Sequence, residues 1–111
     1  MTTAAARCGC DAGDAGRKAV AVDPAIKAAN GRRLRRIEGQ VRGLQKMVDE
    51  DRYCADIVTQ IASVQEALRG VARQLMRNHL KHCATAAIKQ GESEADVMYD
   101  ELLDLVYKHL R

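Results

Sequence analysis

The second half of this chain contains a long, unbroken apolar pattern. From residue 57 the apolar side chains recur at alternating intervals of four and three residues, and the pattern continues towards Ile88 before Gly91 ends it. This alternation places the side chains along one side of an α-helix. A helix of roughly 35 residues is ~50 Å long, because each residue adds about 1.5 Å. The apolar positions are Ile57, Ile61, Val64, Leu68, Val71 and Leu75.

A shorter helix is predicted before the long one. Its apolar residues repeat at intervals of three and four, and it should end near the acidic run at residues 49–51. Its start stays open, because Asp23-Pro24 is typical of a helix N-terminus whereas Asn30-Gly31 is able to interrupt or restart a helix. The apolar positions are Leu34, Ile37, Val41, Leu44 and Val48.

A third helix is predicted near the end of the chain. It should begin at Ser93, because Asp96 follows three residues later as in a capping box. The chain has no Phe, no Trp and one Pro, and such a shortage of aromatic side chains disfavours a β-sandwich. We therefore predict an all-α fold with three helices per protomer. The apolar positions of the third helix are Val97, Leu102, Val106 and Leu110.

The length of the middle helix also predicts self-association. Two neighbours of about 17 residues cannot cover a helix of ~50 Å, so part of its apolar side is left for another subunit. Helices of this kind commonly pair into four-helix bundles, and we expect an antiparallel four-helix-bundle dimer. Residues 1–23, rich in Ala and Gly without an apolar period, are interpreted as a flexible tail before a single helical domain at 24–111.

The cysteine usage depends on the cellular compartment. No apolar run approaches the ~20 residues that a membrane helix needs, and residues 1–25 lack the apolar core of a secretory signal. We therefore expect a cytoplasmic protein without a membrane partner. There the four cysteines stay reduced, which favours metal or redox chemistry over a disulfide framework.

His79 and Cys83 are four residues apart on the long helix, so both side chains leave the same side. An imidazole and a thiolate placed in this way are able to chelate a soft or borderline metal, although a buried thiol beside a hydrogen-bonded histidine has the same spacing. Cys54 stands 25 residues earlier, ~37 Å away along one helix. Two antiparallel copies that cross near Ala67 and Leu68 would bring Cys54 of one chain to the His-Cys pair of the other.

The stretch from Arg33 to Ala84 strongly resembles the copper-sensing repressors of the CsoR/RcnR family of bacterial metal-responsive DNA-binding proteins. Its most specific marks are the run RLRRIEGQVRG at 33–43, the pair Tyr53-Cys54, and His79 with Cys83 at the family's spacing. The resemblance implies an all-helical dimer that doubles into a homotetramer. It also implies a repressor that binds double-stranded operator DNA without metal and releases it when metal binds.

Members of that family differ in their ligands, and the differences favour Cu(I) as the cofactor here. The resemblance assigns Cys54, His79 and Cys83 to the Cys-His-Cys set of the copper members. Nickel and cobalt members add a histidine about 32 residues before the first cysteine, where this chain has Val22. Persulfide sensors lack the histidine and formaldehyde sensors usually lack the second cysteine, yet both are present here. Two thiolates and one imidazole also suit three-coordinate Cu(I) better than Ni(II).

The resemblance further implies a tyrosine and a glutamate near the ligand histidine, and Tyr53 and Glu101 occupy the matching positions. Each also has an ordinary explanation, as an interface aromatic and as a solvated acid. The pair Cys8 and Cys10 lies in the predicted tail with no further donor nearby, so we do not assign it to a metal. Two other histidines are expected to be packed or solvated rather than coordinating; they are His82 and His109.

Basic residues are concentrated in the middle of the chain. Residues 32–48 contain six basic side chains against Glu38, whereas residues 91–111 contain six acids against Lys108 and Arg111. On the long helix four more recur every four residues, as one stripe. A solvated surface is the plain interpretation, but the two sets together favour binding to DNA phosphates. The predicted DNA-binding residues are Arg32, Arg33, Arg35, Arg36, Arg42, Arg69, Arg73, Arg77 and Lys81.

Two alternatives to a Cu(I)-responsive repressor remain within the same fold. One is a repressor that responds to a thiol or persulfide reaction at Cys54 and Cys83. The other responds to nickel or cobalt. An enzyme is not expected, because no acid/base pair in a recognisable cleft is apparent and the only nucleophile candidates are the ligand thiols.

Overall fold

The computed structural model describes residues 17–109, and this part of the chain contains helices and no strand. Within residues 17–109, four α-helices and one π-helical segment follow one another. The predicted all-α fold is confirmed, whereas most of the predicted tail, residues 1–16, lies outside the described residues. The elements are α1 (Pro24–Asp49), α2 (Cys54–Asn78), the π segment (His79–Ala84), α3 (Thr85–Lys89) and α4 (Glu92–His109).

The start of α1 answers the question that the sequence left open. The Asp23 carboxylate accepts a hydrogen bond from the backbone N–H of Ala25 at 3.0 Å, and Pro24 occupies the first helical turn. The helix then passes through Asn30-Gly31 without interruption, with the Asn30 side chain buried. It ends at Asp49, in the predicted acidic run, where Asp51 takes a φ of 54° and helps the chain to turn.

Helical structure continues without a gap from residue 54 to residue 89, as the apolar spacing predicts. The spacing did not predict that six of these residues are wound as a π-helix. The predicted start of the last helix at Ser93 is wrong by one residue, since α4 begins at Glu92. The carbonyl of Gly91 accepts the first hydrogen bond of α4, from the N–H of Ala95 at 3.0 Å, so Gly91 takes the capping position. Gly91 has a φ of 127°, which a side chain at that position would disfavour.

The chain divides into two compact units. One comprises residues 23–76, and the other contains the described residues 17–22 and 77–109. In the first unit α1 packs against α2 through Ile37, Val64 and Val71. In the second unit the π segment and α3 pack against α4, through a cluster of Cys83, Ala84, Ala87 and Met98 with Leu102 beside it.

Only every second member of the predicted apolar pattern is buried within the hairpin of α1 and α2. On α2, Val64 and Val71 are buried. The alternate members of the pattern are exposed, at 40% for Ile61, 45% for Leu68 and 57% for Leu75. Helix α1 repeats this arrangement. Ile37 is buried, whereas Leu34, Val41 and Val48, which follow one another at intervals of seven residues, are exposed. Each helix therefore has one apolar row inside the hairpin and a second row on its surface. The exposed rows are Leu34, Val41 and Val48 on α1, and Ile61, Leu68 and Leu75 on α2.

No helix within residues 17–109 is both long enough and apolar enough to cross a membrane.

Candidate metal site and basic surface

The π segment carries His79 at its first position and Cys83 one residue before its end. Both side chains are buried, with 7% of His79 and 1% of Cys83 exposed, and Cys83 is a free thiol. A π-helix has more residues per turn than an α-helix, and short π segments occur frequently at functional sites. Two donors of the type that soft metals prefer are thus held in a part of the helix with unusual geometry.

Helix α4 brings Glu101 to His79. The imidazole Nε2 lies 3.3 Å from the carboxylate Oε2, and the two side chains are 8% and 21% exposed. Glu101 matched the family pattern by position, and the structure places it in contact with the histidine of the candidate site. Such an outer carboxylate fixes the orientation of an imidazole and raises its basicity.

Opposing influences act on the pKa of His79. Burial, the larger effect, lowers the pKa because it disfavours the charged imidazolium. The Glu101 carboxylate, 3.3 Å from the imidazole, raises the pKa through its negative charge, but the pKa remains below its usual value. His79 is therefore neutral at neutral pH, and the neutral imidazole is the form that binds metals.

Cys54 and Tyr53 lie in the other unit. Cys54 is the first residue of α2, Tyr53 directly precedes it, and both side chains are exposed. Among residues 17–109 of one protomer, no group of three His, Cys, Asp or Glu side chains is arranged to hold a metal ion. The assignment of Cys54, His79 and Cys83 to one site, with Tyr53 beside it, stays a prediction.

Sequence analysis did not single out two polar side chains that flank the π segment. Asn78, buried directly before it, donates from Nδ2 to the backbone oxygen of Ala21 at 3.0 Å and so fastens residues 17–22 to this unit. Thr85, directly after it, donates from its hydroxyl to the backbone oxygen of Leu80 at 3.1 Å. Neither residue belongs to a motif, and only the winding of the segment makes them noticeable.

The two other histidines lie in the π segment and in α4. His82 is half-buried in the π segment, and its Nε2 is buried with no hydrogen-bond partner among the described residues. His109 is exposed in the last turn of α4, as expected for a surface residue. Cys8 and Cys10 lie outside the described residues.

The nine predicted DNA-binding residues lie on α1, on α2 and in the π segment, and all are exposed except Arg33, which is half-buried. Arg42 and Arg69 each have a carboxylate nearby on their own helix. Arg42 lies 3.7 Å from Glu38, and Arg69 lies 3.0 Å from Glu66. Exposed ion pairs of this kind are weak and leave the guanidinium available to another anion. The DNA contacts themselves stay predictions.

Comparison with known proteins identifies the class. Residues 26–108 match the model of a family described as metal-sensitive transcriptional repressor. The chain therefore belongs to the family of metal-sensitive transcriptional repressors, which are regulators rather than enzymes. The resemblance seen in the sequence is confirmed.

Individual relatives have more specific names. The chain is 53% identical over 76 residues to the copper-sensing transcriptional repressor CsoR of Bacillus subtilis, covering 68% of this chain and 73% of that protein. It is 54% identical over 65 residues to the copper-sensing transcriptional repressor RicR of Mycobacterium tuberculosis, covering 59% and 68%. A crystal structure of the copper-sensing repressor CsoR with Cu(I) from Geobacillus thermodenitrificans is similar with a TM-score of 0.72 and 40% identity, over 82% of this chain and 93% of that one.

The contact between His79 and Glu101 predicts a shift that can be measured in metal-free protein. Glu101→Gln removes the carboxylate that partly offsets burial, so the pKa of His79 should fall further below its usual value. The unfolded chain binds the proton more readily than the folded one, so stability is lost as the pH falls below about 6.5. NMR titration of the imidazole measures the pKa. Asp104→Asn, which changes a carboxylate paired with Lys108 on the same helix, is the control; an equal His79 pKa in wild type and Glu101→Gln would contradict the assignment.

Proposed function

We propose that this chain is a Cu(I)-responsive transcriptional repressor that binds operator DNA when metal-free and releases it when Cu(I) binds. The observation that carries the proposal is the buried pair of His79 and Cys83 on one helical segment, with Glu101 in contact with the histidine. The names of the relatives support copper as the metal.

The donor chemistry fits Cu(I). A thiolate and a neutral imidazole are soft and borderline donors, and Cu(I) accepts them in a low coordination number. Burial keeps His79 neutral, and Cys83 has to lose its proton when the metal binds. Nickel and cobalt prefer more nitrogen or oxygen donors, and Val22, at the position of the extra histidine in those members, has an apolar side chain without a donor.

The third ligand is proposed to come from a second copy of the chain. The exposed row on α2 is symmetric about Leu68, which lies midway between Ile61 and Leu75. A two-fold axis at Leu68 would pair Ile61 with the partner's Leu75. The exposed α2 rows of the two copies would then bury each other. The same antiparallel pairing would bring Cys54 to the partner's His79 and the partner's Cys83, giving two identical sites per dimer. Exposure of the Cys54 thiol within one protomer is compatible with this role.

The DNA partner is proposed to bind the basic residues of α1, α2 and the π segment. Their exposed guanidinium and ammonium groups suit phosphate contacts, which dominate affinity and make it dependent on salt. A homotetramer built from two such dimers would present four copies of these residues. Metal binding at His79 changes the charge that Glu101 experiences, and Glu101 belongs to α4, so this contact is the proposed route from the metal to the rest of the protomer.

One observation favours the thiol-responsive alternative. Cys54 is an exposed free thiol, which is accessible to oxidants and persulfides, and Cys83 would be the second sulfur across the same interface. Such a sensor needs both cysteines but has no use for a buried neutral imidazole. The two functions therefore differ in their dependence on His79.

Ligand substitutions test the metal-responsive function. Cys54→Ala and Cys83→Ala should each greatly weaken Cu(I) binding, because the thiolates supply the soft bonds, while metal-free protein still binds DNA. His79→Ala should uncouple Cu(I) binding from DNA release, because it removes the contact with Glu101. Anaerobic Cu(I) titration with fluorescence anisotropy of operator DNA measures both steps. His109→Ala is the matched control. DNA release by Cu(I) that survives in His79→Ala would contradict the proposed route through Glu101. A wild type that binds no Cu(I) would overturn the metal-responsive function and favour the thiol sensor.

Substitutions of basic residues test the DNA-binding surface. Arg33→Ala, Arg36→Ala and Arg73→Ala should each lower DNA affinity and reduce the slope of log affinity against log salt by about one for each phosphate that is no longer neutralised. Cu(I) affinity should stay unchanged. Lys108→Ala, in the acidic helix α4, is the control of equal charge change. Salt slopes equal to that of the wild type in all three arginine variants would show that these residues are merely solvated.

A further inference from the structure

The π segment is accompanied by a hydrogen bond that matches its winding. The Thr85 hydroxyl donates to the carbonyl oxygen of Leu80, five residues earlier, at 3.1 Å. In a π-helix the backbone N–H groups also bond to the carbonyl five residues earlier. The side chain therefore follows the same spacing as the backbone of the segment that it adjoins.

A threonine in ordinary helix bonds differently. Threonine hydroxyls in α-helices reach the carbonyl three or four residues earlier. Thr59 in α2 shows this pattern, because its hydroxyl donates to the carbonyl oxygen of Ala55 at 2.9 Å. The same residue type thus makes a bond over four residues where the chain is wound as an α-helix, and a bond over five residues beside the π segment.

We propose that Thr85 is a positioning residue whose hydroxyl stabilises the π winding of residues 79–84 and thereby sets the rotation of Cys83 relative to His79. The inference rests on the proposed function of this pair as metal ligands. The hydrogen bond from Thr85 to Leu80 spans Cys83, so it closes the part of the segment that carries the thiol. Thr85 itself is exposed and does not belong to the buried cluster around Cys83.

The winding matters because it determines where the two donors point. More residues per turn mean that Cys83 is reached after less rotation about the helix axis than in an α-helix of 3.6 residues per turn. Relaxation to α-winding would turn the Cys83 sulfur away from its direction relative to the His79 imidazole. Metal-free protein with the Thr85 hydroxyl is accordingly pre-organised for a ligand that needs both donors.

Thr85→Val tests this role because valine keeps the branched shape of threonine and removes only the donor. The net contribution of one hydrogen bond corresponds to a change of about threefold to tenfold in an equilibrium, so Cu(I) affinity should fall by this factor. Thr85→Ser retains a hydroxyl and should restore the affinity to within about twofold of wild type. Thr59→Val, which removes a hydroxyl from an α-wound turn, is the matched control and should bind Cu(I) as wild type does.

Two readouts separate positioning from a general loss of stability. X-ray absorption at the copper edge should show fewer or longer ligand bonds in Thr85→Val than in wild type. In metal-free protein, the rate of Cys83 alkylation, followed by mass spectrometry, should rise in Thr85→Val and stay low in Thr85→Ser and Thr59→Val, because Cys83 is 1% exposed when the segment is π-wound. Thermal unfolding of all three variants provides the reference for stability.

The possible outcomes are distinguishable. A wild type that binds no Cu(I) overturns the proposed function, while faster alkylation of Cys83 in Thr85→Val still supports the effect of Thr85 on the winding. Cu(I) binding by wild type with equal affinity, absorption spectrum and alkylation rate in Thr85→Val overturns the role of Thr85. Equal losses of affinity in Thr85→Val and Thr85→Ser would also overturn it, because the hydroxyl would then not be the group responsible.

Discussion

Helix α2 has two apolar rows, and its hairpin with α1 is able to bury only one of them. The hairpin of α1 and α2 buries one row, around Val64 and Val71, and leaves the row of Ile61, Leu68 and Leu75 exposed. Burial of apolar area is worth about 25 cal/mol per Å², so an exposed row of this length favours association. Because the row is symmetric about Leu68, a second copy of the same helix is a suitable partner. The dimer, the shared metal site and the doubled DNA surface of our proposal all follow from this one feature.

The second important interaction is the contact between His79 and Glu101. A buried imidazole beside a carboxylate could be either charged or neutral, and burial decides for the neutral form because it is the larger influence on the pKa. This state has two consequences for a metal sensor. The histidine needs no deprotonation before it binds a metal, and a positive charge placed on it is felt by a residue of another helix. In the proposed mechanism, metal recognition and signalling therefore use the same side chain, His79.

The sequence predicted the helices well and their details less well. The lengths of α1 and of the helical region 54–89 follow from apolar spacing, which is a strong signal in long elements. The π winding of residues 79–84 could not be predicted, because one segment of six residues barely alters the apolar pattern on either side. The capping box at Ser93 failed since Gly91, with its positive φ, ends one helix and begins the next. Asn30-Gly31 looked like a break, yet the strong cap at Asp23 starts the helix seven residues earlier.

The candidate site was predictable in part. His79 and Cys83 were visible from their spacing, whereas Glu101 came only from the family resemblance, because no local pattern relates a residue on α4 to one in the π segment. The charge of His79 depends on burial and therefore required coordinates. Asn78 and Thr85 could not be identified from the sequence. Each donates a hydrogen bond to a backbone oxygen, and a sequence does not reveal such bonds.

Subunit exchange tests most directly the central claim that each metal site is shared between two chains. Cys54→Ala chains are mixed with His79→Ala/Cys83→Ala chains, and Cu(I) binding is measured against a competing chelator before and after exchange. In a mixed dimer, one site takes Cys54 from the double variant and the other two ligands from its partner, so it is whole, while the opposite site has none. If the site is shared, tight Cu(I) binding appears only after mixing and approaches one Cu(I) per mixed dimer. Verified exchange without any gain in Cu(I) binding would contradict the shared site and the antiparallel pairing about Leu68.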